Sequence, residues 1–321
     1  MSKVFDYDLY DLIIINISGG KDSTCCIEDV LSSGINKNKI ELWHQRVDGV
    51  GENFFDWPST DGYVKLLAKK YGLKLAWQWR DKGFLGELKK ENSRSHGVFS
   101  ARNHRIDFYP TTKAASVATR KKWPNASGDL FTRWCTPNLK IDVSRRSVSN
   151  LFPGDKINPK KILFVTGERR EESPRRAKLK NFEPHACNSN GRHVDHYRPV
   201  LEWSEKQIWE KLEENKILPH PAYFLGFPRL SCMCCIFLSK NHWSTLAKIY
   251  PRALDRIAEL ETEFNHTLDR TAGIWEVAAL GESLYDDSLA KYALLALDEY
   301  TEQVTTDDWT LPKGAFGTGG G

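Results

Sequence analysis

The sequence predicts an α/β protein built on a parallel sheet, and three observations carry that expectation. Four short apolar segments, Leu12 to Ile17, Ile40 to Val47, Leu73 to Trp79 and Ile162 to Thr166, are separated by helix-compatible stretches. That alternation is what a parallel sheet with crossover helices requires. The first segment stops abruptly at Ser18-Gly19-Gly20-Lys21-Asp22-Ser23 and is followed by a helical stretch, Thr24 to Leu31. From Ile236 onward no strand signal is strong, and the patterns over Asn241 to Thr267 and Ser288 to Val304 are helical. A core over residues 1–235 followed by an α-helical C-terminal region, 236–321, is the expected organisation.

The Ser18–Ser23 turn is suited to hold an anion. Its glycines let the backbone approach an oxyanion closely, the N–H groups of the loop and first helical turn lack intrahelical partners, and Lys21 adds a positive charge. Pyrophosphate would fit such a turn. The other common phosphate loop, G-x-x-x-x-G-K-[ST], is excluded because Ile15 stands where its first glycine would be and Asp22 follows Lys21. Further along, Tyr63 to Tyr71 reads as an amphipathic helix closed by Gly72, and Ser204-Glu205-Lys206-Gln207 is a capping box whose helix places Ile208, Trp209, Leu212 and Ile217 on one face. After the strand ending at Thr166 comes Gly167-Glu168-Arg169-Arg170-Glu171-Glu172-Ser173-Pro174-Arg175-Arg176-Ala177. This sets several guanidinium forks beyond a strand's carboxyl end, where open α/β sheets bind ligands. A solvated turn with internal ion pairs is the competing reading. Gly314 to Gly321 is expected to be a frayed tail.

Composition is that of an ordinary enzyme. The 321 residues exceed the usual single-domain length, no apolar stretch approaches the ~20 residues of a membrane span, and no signal-peptide pattern is present, so a cytoplasmic protein without a membrane partner is expected. The formal charge is +4, but between Lys89 and Arg133 ten Lys or Arg face only three acids. Phe99, Phe108, Tyr109, Trp123 and Phe131 are interleaved there, which fits either a nucleic-acid surface or a solvated face whose aromatics pack on the core. No helix-turn-helix or zinc-finger pattern accompanies it.

Cys135 lies far upstream of Cys232-Met233-Cys234-Cys235, and a C-x-x-C pair lets two thiolates chelate one metal centre. Cys135, Cys232 and Cys235 are the expected ligands of a 4Fe-4S cluster or of Zn²⁺. The fourth ligand would be Cys234, Cys187, His185 or a group from outside the protein. Buried inert thiols are the alternative. Cys25 and Cys26, just inside the helix after the loop, are expected to pack on the sheet.

The hexapeptide SGGKDS resembles the PP-loop of the ATP pyrophosphatases, which split ATP between its α and β phosphates and adenylate a substrate. The order of SGGKDS, GERREES, Arg198-Pro199-Val200-Leu201-Glu202-Trp203-Ser204, Pro219 to Tyr223 and Gly226 to Cys235 resembles the PAPS-reductase-like branch of that superfamily, across residues 10 to 240. The resemblance implies an adenine nucleotide α-hydrolase-like fold. It implies nucleotide binding by Ser18, Gly19, Gly20, Lys21, Asp22, Ser23, Asp48, Gly167, Glu168, Arg175 and Arg176, and catalytic roles for Lys21, Asp22, Ser23, Arg169 and Cys135. Sulfonucleotide reductases use a nucleophilic cysteine near the C-terminus, and this sequence has none beyond Cys235. The pairing of Arg133-Trp134-Cys135-Thr136-x-x-Leu139-Lys140 with C-x-x-C instead resembles the ATP pyrophosphatases of DNA phosphorothioation, of the DndC and SspD type. That implies ATP with Mg²⁺, a DNA partner, and a cysteine desulfurase with other modification-pathway proteins. The rivals are a PAPS or APS reductase and, from another class, a nucleotide-gated nucleic-acid-binding subunit.

Overall fold

Alternation along the first strand dictates the layers. In the computed structural model, which describes residues 6–51 and 53–317, β1 (Leu12–Asn16) sends Ile13 and Ile15 to one face of the sheet and Leu12 and Ile14 to the other, all four buried. Against the first face pack α1 (Lys21–Ser32), α2 (Thr60–Tyr71) and α5 (Glu205–Glu214), through Cys25, Cys26, Leu67 and Trp209 among others. Against the second packs α4 (Asp142–Leu151), through Val148.

Between these helices lie β2 (Ile40–Arg46), β3 (Lys74–Arg80), β4 (Val98–Arg102), β5 (Arg105–Tyr109), β6 (Lys160–Val165), β7 (Phe182–Pro184) and β8 (Arg192–Tyr197). Together with β1 they form one eight-stranded sheet in the order β5-β4-β3-β2-β1-β6-β8-β7. The inner run from β3 to β8 is parallel, and β4, β5 and β7 are antiparallel additions at the two edges. The four expected strands are the parallel β1, β2, β3 and β6. The structure is the expected α/β fold. Gly72 ends α2 in the left-handed conformation, and Ser204 with Gln207 closes the capping box on α5.

The stretch from Lys89 to Arg133 contains more structure than its charge conveys. Asn103 and His104, both at positive φ, form the two-residue turn between β4 and β5, extending the sheet as a hairpin. Half of its ten positive charges are paired among the described residues: Lys89 with Glu263, Arg102 with Glu41, Arg105 with Asp107, Arg120 with Glu87 and Lys121 with Glu91. Trp123 is buried against Phe55 and Phe84, and Phe99 stacks between Trp79 and Phe108, while Phe131 is 89% exposed.

The remaining helices are α3 (Gly83–Leu88), α6 (Pro221–Phe224), α7 (Lys240–Ile249), α8 (Pro251–Phe264), α9 (Ile274–Ala279) and α10 (Ala290–Leu297). Trp243, Leu254 and Ile274 of this group share a cluster with Phe55, Phe84 and Trp134. Of the tail expected to fray, residues 318–321 lie outside the described set. No helix among the described residues is long and apolar enough to cross a membrane.

Two details of packing generate predictions. His220 is fully buried: its Nδ1 accepts from the Ala222 N–H at 3.2 Å and its Nε2 donates to Ser59 Oγ at 2.9 Å, whose own proton goes to the Ala296 carbonyl. The ring is therefore fixed as the neutral Nε2–H tautomer. His196 accepts at Nδ1 from Arg198 and approaches Thr166 Oγ1 through Nε2. Burial lowers His220 and His196 to about 3, and His185 to about 4. The unfolded chain thus binds more protons below about pH 6.5, and stability falls as pH drops toward the folded-state values. Between pH 7 and pH 5 each histidine near 3 should remove about 2 kcal/mol, read as a falling midpoint in urea titrations. His220→Gln should flatten part of that slope.

The second detail is Gly167, just after β6. A Cβ there would lie 2.9 Å from the Asp22 carbonyl carbon and from the Ser23 nitrogen, both backbone atoms that cannot turn aside. Gly167→Ala should cost about 1–3 kcal/mol by forcing the first turn of α1 from the sheet, which thermal melts would register.

Candidate functional site

The loop after β1 is shaped by its own atoms before any ligand arrives. Gly19 turns the chain at φ +79°, the Gly20 N–H donates to Ser18 Oγ, and Ser23 Oγ donates to the Gly20 carbonyl at 2.9 Å. The Lys21 N–H donates to the Tyr223 hydroxyl at 3.1 Å, which also accepts from the Leu230 N–H. The N–H groups of Gly19, Asp22 and Ser23 have no hydrogen-bond partner among the described residues. Two of these lie in the first turn of α1, a 12-residue helix whose dipole favours negative charge at that end.

A cleft of about 390 Å³ opens in front of this loop. Ser18, Gly20, Asp22 and Ser23 line one side, with Gly167 and Glu168 from the segment after β6. Cys135, Cys232 and Cys235 line the same cleft, so the fold joins two motifs nearly a hundred residues apart to the phosphate loop. Arg176 also reaches the wall, paired with Glu172.

Other expected site residues stand elsewhere. Lys21 is 4% exposed and lies behind the loop, its Nζ 3.2 Å from Asp22 Oδ2 and 3.6 Å from Glu205 Oε1. Burial opposes the charge, but these carboxylates hold its pKa above the usual lysine range. Arg169 is also buried, donating from Nε to Asp22 Oδ1 at 2.5 Å and from NH1 to Glu171 Oε2 at 2.6 Å. Arg175 turns outward to the Gly128 carbonyl. Asp48 folds back on its own loop, Oδ2 accepting from the N–H groups of Phe54, Phe55 and Asp56 at 2.8–3.0 Å. It shapes the segment that brings Phe55 to the cleft and does not itself face it.

Of the expected metal set, Cys135, Cys232 and Cys235 share the cleft wall and the candidates for a fourth ligand within the chain do not. Cys234 is fully buried in the apolar cluster with Sγ toward the Phe54 carbonyl, and Cys187 packs beneath α4 and β8. Among the described residues no group of three or more His, Cys, Asp or Glu is placed to hold a metal ion. The side chains as arranged do not fit a cluster, and no chemistry is derived through one. Cys25 and Cys26 are buried on the sheet.

The site contains groups that the motifs did not single out. A π-helical turn, Pro137–Ile141, precedes α4 and sets Lys140 on the cleft wall among the thiols. The proximity of Cys232 raises the Lys140 pKa, while burial raises the Cys135 and Cys232 thiols. A smaller chamber of about 90 Å³ adjoins, lined by Asn16, His44, Gln45 and Asp56 with Lys140 and Cys232. There Asn16 Nδ2 is buried without a partner and burial pushes Asp56 up to about 7. Only the Lys at the end of R-W-C-T-x-x-L-K was visible as a sequence signal. A larger open depression of about 710 Å³ lies between α8 and α9 and shares no lining residue with the cleft.

The profile of the phosphoadenosine phosphosulfate reductase domain matches residues 13–237. An uncharacterised 37.8 kDa protein of Escherichia phage 186 is 32% identical over 139 residues, 43% of this chain and 40% of its own length. An adenosine 5'-phosphosulfate reductase of Neisseria meningitidis is 36% identical over 72 residues, 22% of this chain and 28% of its own. The chain thus spans less than half the length of these curated relatives. Among solved structures, Candida glabrata FMN adenylyltransferase with FAD and inorganic pyrophosphate aligns over 96% of this chain and 83% of its own at 14% identity and a TM-score of 0.41. A phosphoadenylyl-sulfate reductase from Candida auris covers 70% of this chain and 83% of its own at 13% identity, TM-score 0.38. With the family profile covering well over half of its length, the chain belongs to the phosphoadenosine phosphosulfate reductase domain family.

Proposed function

We propose that the chain is an ATP pyrophosphatase that activates an acceptor for sulfur incorporation. The observation that carries the reading is a single cleft lined by both the Ser18–Ser23 loop and the thiols of Cys135, Cys232 and Cys235, so that phosphate and sulfur chemistry share one wall. An acceptor oxygen attacks the α-phosphorus, the bond from that phosphorus to the α–β bridging oxygen breaks, and pyrophosphate departs toward the unpaired N–H groups at the start of α1. Mg²⁺ arriving with the nucleotide would neutralise its phosphates, and Glu168 on the wall, its Oε2 held by Thr166 and Arg198, would be a carboxylate available to it. A sulfur nucleophile then displaces AMP from the acceptor.

In this reading Lys21 acts from behind the loop, tying α1 to α5 through Glu205. The proposed acceptor is a DNA phosphodiester and the proposed sulfur source a cysteine desulfurase, on the resemblance of the Arg133–Lys140 and Cys232–Cys235 motifs to the DNA-phosphorothioation enzymes. A second reading, reduction of a sulfonucleotide, is favoured by the relatives named as adenosine 5'-phosphosulfate reductases.

The full chain incubated with Mg²⁺ and ATP, followed by ³¹P NMR, should yield AMP and pyrophosphate. Gly20→Val adds bulk against Ser18 Oγ and Tyr223 at the loop and should lower that rate by on the order of 10²-fold or more, the scale of a lost oxyanion site. Cys135→Ser and Cys235→Ser should keep pyrophosphate release within about threefold, far short of the roughly 10²-fold or greater loss that follows removal of a transition-state donor. They should abolish sulfur incorporation. ADP with orthophosphate would contradict the assignment, and sulfite from adenosine 5'-phosphosulfate with no pyrophosphate from ATP would replace it by the reductase reading.

A further inference from the structure

The thiol end of the cleft holds two arginines without an acidic partner. Arg133, two residues before Cys135, and Arg229, three before Cys232, both line the wall, and neither is in an ion pair or side-chain hydrogen bond among the described residues. Their guanidinium carbons lie 5.4 Å and 5.1 Å from the centre of the Phe237 ring, so one aromatic side chain positions both. Arg133 Nε is buried with nothing to donate to. This is unlike the nearby arginines, since Arg176 is paired with Glu172, Arg169 with Asp22, and Arg175 donates to the Gly128 carbonyl.

Positive charge is also unrelieved in the surroundings. Burial holds Arg133 below the usual guanidinium range; Cys135 opposes it most strongly, and the like charges of Arg175 and Arg176 add to the lowering. Lys140 adds an ammonium at the same end. Buried donors without acceptors are costly unless a ligand supplies the acceptor, and guanidinium forks match tetrahedral oxyanions.

We infer that Arg133 and Arg229, held by Phe237, form a second oxyanion site beside the thiols, distinct from the phosphate loop, which binds a tetrahedral anionic group of the acceptor. The inference rests on the reading of the cleft as a nucleotide site and adds a substrate class: an acceptor carrying its own phosphate or sulfo group. That group has two sources, a nucleic-acid phosphodiester or a sulfo group on the nucleotide itself.

Calorimetric titration of the full chain with AMP, with adenosine 5'-phosphosulfate and with a four-nucleotide single-stranded DNA distinguishes them. The same titrations are run on Arg133→Gln/Arg229→Gln and on Arg229→Gln alone, whose exposed side chain makes misfolding an inadequate excuse. AMP affinity should change less than about threefold in the variants, while the ligand that uses the second site loses about 10- to 100-fold in the double variant, the worth of one or two charge-assisted hydrogen bonds. Loss confined to the phosphosulfate assigns a sulfo group, and loss confined to the oligonucleotide assigns a phosphodiester. Equal losses for all three ligands, or no loss for any, would overturn the second site. So would a parent chain that binds neither the phosphosulfate more tightly than AMP nor the oligonucleotide. If the parent fails to bind AMP yet loses oligonucleotide binding in the variants, the nucleotide reading fails and the second site stands.

Discussion

An ionic chain with Lys21 and Arg169 buried at its centre lies behind the Ser18–Ser23 loop and constrains everything in front of it. Asp22 at the start of α1 accepts from Arg169, Arg169 donates on to Glu171, Glu171 accepts from the Glu205 N–H, and Glu205 faces Lys21. Three elements, the first turn of α1, the segment after β6 and the first turn of α5, are fastened in one place. Such a network is not cheap, since desolvation offsets much of its attraction, but removing Asp22 would strand the buried Lys21 and Arg169 and cost about 3–5 kcal/mol. Its consequence is positional. With Lys21 and Arg169 directed at one another's carboxylates, the loop meets its ligand mainly through backbone N–H groups.

The same fastening brings distant sequence together. The segment after β6 is pressed so close to α1 that Gly167 has no room for a side chain, which puts Glu168 and the start of α1 on one wall. Tyr223 of α6 holds both the Lys21 and Leu230 N–H groups through its hydroxyl, carrying the chain that follows, with Arg229, Cys232 and Cys235, to the loop. From the other side the π-helical turn before α4 presents Cys135 and Lys140. Unpaired backbone N–H groups at one end and thiols with unpaired cations at the other give the cleft two chemically different ends.

Much of the fold was legible because burial on both sides makes a parallel strand read as an unbroken apolar run, as in Ile13 to Ile15. β8 was not, since Arg-His-Val-Asp-His-Tyr carries its polar groups into specific bonds: Asp195 accepts from Tyr10, and Arg192 from its buried place donates to backbone carbonyls. The hairpin of β4 and β5 escaped because Asn103-His104 is a weaker turn signal than Asn-Gly, inside a segment that charge alone dominates. The carboxylates that neutralise that segment, Glu41, Glu87 and Glu263, are remote in sequence, so a charge count overstates its free positive surface. At the site, the loop and the three wall cysteines were visible as motifs. The burial of Lys21, the inward turn of Asp48 and the unpaired state of Arg133 and Arg229 depend on tertiary neighbours and leave no local pattern.

The central claim is that the cleft between the Ser18–Ser23 loop and the thiol wall is where the nucleotide sits. Amide hydrogen exchange followed by mass spectrometry, with and without saturating ATP and Mg²⁺, tests it directly, because the N–H groups of Gly19, Asp22 and Ser23 have no partner among the described residues to slow their exchange. The account predicts strong new protection over residues 18–24 and weaker protection over 166–168 and 229–235. Protection confined to the depression between α8 and α9, with residues 18–24 unchanged, would contradict it.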